Sequence, residues 1–229
     1  MILQTVKKNF QEISRNIQDL KIKTPQPITI IGVTKHHTIQ HIKAAQTAGI
    51  KNIGESRVQE ADKKLNIIKS EKKTKLHLIG HLQSNKTKKA VSLFDVIQTV
   101  DSIRLAKKIN KESIKINKKQ KVFLQINISK DPKKYGFFDK EVLTECFDLQ
   151  KLSNIQVLGL MTITANRLEQ KELGKCYEKM RMLRRKLKSE GLDLCQSLSM
   201  GMSRDYLYAI KEGATHVRIG TRLFGERPK

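Results

Sequence analysis

The sequence predicts an α/β fold: a single (β/α)8 barrel with an N-terminal helix completing its outer ring. Three observations predict it. Short β-branched runs alternate with longer helical patterns without interruption, the runs number eight, and most are near-continuous in apolar residues, as buried parallel strands are. Eight strands close a barrel, and 229 residues suit the roughly 200–250 that such a barrel takes as one unit. The expected layout is one domain over 1–229, with an amphipathic helix in 1–22 and the barrel in 28–225.

The elements follow in order. Leu3, Val6, Phe10, Ile13, Ile17 and Leu20 recur three or four apart between Lys7, Lys8, Gln11, Arg15 and Asp19, the pattern of a one-faced helix. After the Pro25-Gln-Pro27 break, strands are expected at 28–33, 51–53, 76–79, 96–100, 121–128, 157–161, 194–198 and 216–219. Helical patterns fall near 38–48, 57–70, 84–92, 102–116, 139–151, 167–190 and 203–212. Seven helices lie between eight strands, which leaves one outer berth for the N-terminal helix. An open doubly wound sheet is the competing layout, but Gly32-Val-Thr-Lys35 lacks the glycine fingerprint that a dinucleotide site needs after its first strand.

Composition narrows the function. Forty-six basic residues against 22 acidic ones give a net charge of +24. Thirty-five of the basic residues are Lys, scattered from Lys7 to Lys229, with no Trp and 5% aromatics. Nucleic-acid surfaces favour clustered Arg with aromatics for stacking, so the charge reads as a solvated lysine surface rather than a nucleic-acid interface. Cys146, Cys176 and Cys195 are odd in number and widely spaced, which excludes a disulfide framework and a thiolate zinc site and fits a reducing compartment. No signal-peptide stretch or membrane-length apolar run occurs, so the expectation is a cytoplasmic protein with no membrane contact. His37/His41 and His77/His81 are each four apart but lack the accompanying carboxylate of a metal motif, and no metal site is expected.

In a parallel barrel the chemistry sits at the carboxyl ends of the strands. Those ends carry Thr34 and Lys35, Gly54-Glu-Ser-Arg57, Gly80-His-Leu-Gln-Ser-Asn-Lys86, Asp101, Asn127, Thr162, Ser199-Met-Gly-Met-Ser203 and Arg218-Ile-Gly-Thr221. Lys35 ends an apolar strand, where partial burial disfavours the ammonium form and frees an amine to condense with an aldehyde. Ser199, Gly201, Gly220 and Thr221 are expected to cradle an anion in the loops after strands seven and eight, the recurrent phosphate position of this architecture. Arg218 lies between them. A lysine acceptor, a phosphate cup and an arginine together describe a pyridoxal 5′-phosphate (PLP) site. Arginine at the pyridine nitrogen donates a hydrogen bond and leaves that nitrogen unprotonated, a poor electron sink.

These residues resemble the YggS/PROSC group, the pyridoxal phosphate homeostasis proteins. The resemblance rests on Ile31-Gly-Val-Thr-Lys35, Gly54-Glu-Ser-Arg-Val-Gln-Glu60, His77-Leu-Ile-Gly-His-Leu-Gln-Ser-Asn-Lys86, Gln125-Ile-Asn-Ile128, Lys134-Tyr-Gly136, Gly159-Leu-Met161, Leu198-Ser-Met-Gly-Met-Ser203 and Val217-Arg-Ile-Gly-Thr221 with Phe224-Gly225. The chain departs from the usual pattern at Thr34, Ser56 and Tyr135, where Ser, Asn and Ser are common. The resemblance implies a barrel of the alanine-racemase N-terminal type (PLP fold type III). It also implies Lys35 as the Schiff-base lysine, Arg218 at the pyridine nitrogen, and Ser199, Gly220 and Thr221 at the phosphate. It implies a monomer that binds, carries or buffers PLP, with PLP-dependent apo-enzymes as conceivable recipients and no robust turnover or catalytic residue. Alanine racemases add a second β-rich domain and a partner's tyrosine opposite the lysine, neither of which is expected here. A weak amino-acid racemase and a basic nucleic-acid-binding protein are the alternative functions.

Overall fold

The computed structural model describes residues 1–22, 27–70, 73–164 and 168–226. The chain runs α1 (Ile2–Asp19), β1 (Thr29–Val33), α2 (Ile39–Thr47), β2 (Asn52–Glu55), α3 (Val58–Ser70) and β3 (Lys75–Leu78). A 3-10 turn at Ser84–Lys86 leads into α4 (Thr87–Leu93), then β4 (Val96–Val100), α5 (Ile103–Lys115) and β5 (Gln120–Gln125). There follow α6 (Asp139–Thr144), α7 (Cys146–Gln150), β6 (Ile155–Met161), α8 (Gln170–Ser189), β7 (Ser197–Met202), α9 (Tyr206–Lys211), β8 (His216–Ile219) and α10 (Thr221–Phe224).

All eight strands pair in parallel and in chain order, and β8 returns to β1 with Ile31 opposite Arg218, so the barrel is closed as expected. Side chains alternate in and out along each strand. A side chain at Gly32 would point outward, its Cβ 3.3 Å from Leu223 and 3.4 Å from Phe224 of α10. Ile31 and Val33 therefore face the interior. Two residues beyond Val33, on the same side, comes Lys35.

The N-terminal helix fills its berth across the β8–β1 seam. Val6 and Ile13 are fully buried, Phe10 and Ile17 pack beside them, and the helix lies against α2 and α10. Asn9 Nδ2 donates to the Leu223 carbonyl at 3.0 Å, and Arg222 pairs with Glu12 at 2.9 Å. The buried stripe supplies the holding energy, about 1.5–3 kcal/mol for each fully buried aliphatic side chain.

Three differences from the sequence-based expectation matter. Strand seven runs Ser197–Met202 rather than 194–198, which draws Ser199 and Gly201 out of the expected loop and into the barrel wall. Its pairing with β8 slips between Ser199 and Met202, where Gly201 takes a left-handed φ of 89°. The helix expected at 139–151 is two short ones that part at Glu145, and an unforeseen turn of helix, α10, follows β8. Pro25 and Gln26 of the expected break, and Arg167 at the start of one expected helix, lie outside the described residues.

Candidate functional site

The turn that carries Lys35 is clamped from behind. Thr34, two strand positions on from Gly32, points outward, is fully buried, and donates through Oγ1 to Glu55 Oε1 at 2.6 Å. Lys64 of α3 reaches the same spot, with Nζ donating to the Thr34 carbonyl at 2.9 Å, to Glu55 Oε1 at 3.0 Å and to Glu60 Oε1 at 2.7 Å. Glu60 Oε1 also accepts from the amide of His36, which holds a left-handed φ of 63°. Burial raises the pKa of the Glu55 carboxyl, although Thr34 and Lys64 pull it down. For Glu60, burial works in the same upward direction, but hydrogen bonds from Lys64 and the His36 amide outweigh it and leave the carboxyl low. One buried ammonium between two carboxyls thus fixes the backbone on both sides of Lys35, and Lys35 itself is half-buried at the barrel mouth.

Arg218 forms the floor. It points inward from β8 at 4% exposure. Nη1 donates to both the carbonyl and Oγ of Ser199 at 2.8 Å, and Nη2 donates to the Thr162 carbonyl at 2.7 Å. Burial lowers its pKa to about 10, with Tyr177 and Asp205 opposing, so it remains a cation at neutral pH.

Beside it, the ends of β7 and β8 meet at Ser203. Ser203 Oγ accepts from the amides of Gly220 at 3.2 Å and Arg222 at 3.3 Å. Asp205 accepts from the Met202 amide at 2.6 Å and from the Tyr177 hydroxyl at 2.5 Å, which ties this corner to α8. The left-handed turn at Gly201 admits no side chain, because a Cβ there would stand 2.5 Å from that of Ala209. Gly220 differs: the nearest atom to a Cβ there would be that of Val33, at an ordinary contact distance of 3.6 Å.

These parts line one cavity of about 1010 Å³, which includes Lys35, Ser203, Arg218, Gly220 and Thr221. Four of the five residues singled out from sequence therefore meet. Ser199 does not line the cavity. It is fully buried beneath Arg218, and its hydroxyl donates to Gln98 Oε1 at 2.7 Å, because the longer β7 carries it inside the barrel. Ser203, four residues on, borders the cavity. Sequence reasoning assigned no role to Ser203, Arg204 or Tyr208, all of which border the cavity. Ser203 was visible as the polar end of the Leu198–Ser203 segment, whereas nothing marked Lys64 among 35 lysines.

Other features neighbour this cavity. His37 and His41 lie with ring centroids 4.8 Å apart and pack on Phe224, outside the strands. His81 pairs with Asp101 at 3.1 Å and stacks on Tyr135 at 3.6 Å, while Lys134 Nζ donates to the Ile163 carbonyl at 3.3 Å. Burial lowers the pKa of that Lys134 amine. Among the described residues no helix is long and apolar enough to cross a membrane.

Comparison with known proteins agrees with this architecture. The family described as alanine racemase, N-terminal domain, matches residues 9–228. A pyridoxal phosphate homeostasis protein of Synechocystis sp. is 36% identical over 89% of this chain and 93% of its own length. PipY of Synechococcus elongatus superposes with a TM-score of 0.85 without PLP, at 35% identity, covering 93% of this chain and all of that one. The same protein solved with PLP bound gives 0.83 at 34% identity and the same coverage. The alanine racemase of Clostridium difficile shares the fold alone, at 20% identity and a TM-score of 0.78, and this chain spans 58% of it.

Proposed function

Since the chain belongs to the alanine racemase N-terminal domain family, and within it to the pyridoxal phosphate homeostasis proteins, we propose that it binds PLP in the mouth of its barrel and serves PLP homeostasis. One observation carries the reading: Lys35 and the Gly220–Thr221 turn border a single cavity floored by Arg218. The residues fit the group. Gly220 borders the cavity with no side chain between its backbone and that space, as a phosphate approaching the backbone needs. Bound there, PLP supplies an aldehyde that condenses with a primary amine, together with a pyridine ring able to take up electrons.

The chain's own residues account for the rest. Lys64, Glu55 and Glu60 hold the Lys35 turn still, so the amine is presented without a search through backbone conformers. The Ser203 and Thr221 hydroxyls at the cavity would donate hydrogen bonds to a dianion, each contributing about 1.5–3 kcal/mol. Arg218 keeps its proton and offers only donors, so it would hold a ring nitrogen without protonating it. That arrangement favours retention of the cofactor over turnover, and carrying or buffering PLP through Lys35 is the role it suits.

The test is equilibrium binding of PLP against pyridoxal, which lacks the phosphate. The wild-type protein is expected to bind PLP at least 100-fold more tightly, the effect of two or more charge-assisted hydrogen bonds at about 1.4 kcal/mol per tenfold. Equal affinities would remove the phosphate cup. Sustained deuterium incorporation at Cα of L-alanine with formation of D-alanine would instead make the protein a racemase.

A further inference from the structure

We infer that Gln98 and Ser199 are positioning residues, which set the Arg218 guanidinium through a one-way chain of hydrogen bonds across the barrel interior. The consequence for cofactor binding rests on the function proposed above; the hydrogen-bond chain does not. Five strands contribute one member each. Arg218 (β8) donates to Ser199 Oγ (β7) at 2.8 Å, and Ser199 Oγ donates to Gln98 Oε1 (β4) at 2.7 Å. Gln98 Nε2 lies 3.0 Å from His77 Nδ1 (β3), and His77 Nε2 lies 3.0 Å from Asn52 Oδ1 (β2). Gln98 and Ser199 are fully buried, and His77 is 2% exposed.

Chemistry gives the chain its direction. A guanidinium can only donate. The Ser199 oxygen that receives it must pass its single proton onward, and it meets the Gln98 oxygen. The other end of that amide is then NH2, a donor facing His77 Nδ1. His77 Nδ1 must therefore be bare and its Nε2 protonated, the form that donates to Asn52 Oδ1. Every member is satisfied in this one arrangement and left short in its reverse, which in a buried setting is costly. Arg218 is thus gripped twice at Nη1 through Ser199, whose hydroxyl is itself locked by Gln98.

The experiment uses the full chain with 15N-labelled histidine and arginine, with His77→Gln to assign the His77 signals. Without cofactor at neutral pH, wild-type His77 is expected neutral with the proton on Nε2, and the Arg218 Nη protons should be resolved by slow rotation. Gln98→Glu replaces the amide with an acceptor at both ends. It should keep Arg218 resolved while moving the His77 proton to Nδ1, a switch that a merely space-filling residue would not cause. Gln98→Leu should collapse the Arg218 signals. It should also weaken PLP binding by about tenfold, the size of one or two lost hydrogen bonds, and change the visible absorbance of the bound cofactor, with Gln98→Glu restoring both. A wild-type His77 protonated at Nδ1 overturns the chain. Arg218 signals that stay resolved in Gln98→Leu overturn the positioning role, even if the leucine variant is less stable. Wild-type protein that passes both NMR tests yet fails to bind PLP would sink the proposed function and leave this inference standing.

Discussion

Single residues decide the chemistry, and their protonation can be tested directly. Burial lowers the pKa of His77 to about 3, with the charge of His216 adding to the effect. His216 falls to about 4, again through burial first and then the neighbouring Arg218 charge. Both are therefore neutral in the folded protein at pH 5, where an unfolded histidine with a pKa near 6.5 is charged. Unfolding at pH 5 then takes up about two protons through this pair, so stability is full above about pH 6.5 and is lost as the pH falls toward 4 and 3. Urea denaturation between pH 7 and 5 should show that slope, and His216→Gln should remove about one proton of it. A slope unchanged in that variant would mean that His216 is solvated. Lys35 and Arg218 were legible in the sequence because one follows an apolar strand and the other interrupts one, where a charged residue is conspicuous. Lys64 was not, because its role comes from a helix laying it behind β1, and that depends on tertiary packing.

Elements set where those residues point. Strand alternation put Val33 and Lys35 on one side, and that side is the cavity. Ser199 is misplaced for another reason: Ser199-Met-Gly-Met-Ser203 reads as the loop after strand seven when serine and glycine are taken as turn signals. In the barrel, Ser197 pairs with Gly159 of β6, the Ser199 hydroxyl donates to Gln98, and Gly201 bends the strand without ending it. Gly201→Ala should therefore cost about 2 kcal/mol or more, since it combines a left-handed backbone with a collision against Ala209. Loss of less than about 0.5 kcal/mol in denaturant melts would show that the bend tolerates a side chain. Helix α1 makes a parallel claim. Ile13 is fully buried, and Ile13→Ala should cost about 3 kcal/mol, whereas a helix merely resting on the barrel would lose under about 1 kcal/mol.

Over the whole molecule, the fold was legible because its signal is redundant: eight strands and their helices have to agree, and an error of three residues in one strand leaves the closure intact. The candidate site depends on single positions, so the same error leaves Ser199 in the interior, where a rim position is expected, and Ser203 at the cavity. The +24 charge comes mainly from 35 lysines. Its lysines are spread over the chain, and several pair with acids at the surface, such as Lys69 with Asp95 and Lys107 with Asp148. Such exposed pairs contribute little to stability and are screened by salt. PLP is itself an anion, and a strongly basic protein collects it faster at low ionic strength, so its association rate should fall as salt rises.

The claim on which all of this depends is that the Lys35 amine meets the PLP aldehyde inside the barrel mouth. Loading the protein with PLP, reducing with borohydride and mapping the peptides by mass tests it in one step. The added mass should fall on the peptide containing Lys35 and be absent from that region in Lys35→Ala. Cofactor mass fixed chiefly on Lys86, Lys134 or scattered surface lysines of the wild-type protein, with Lys35 unmodified, would contradict it.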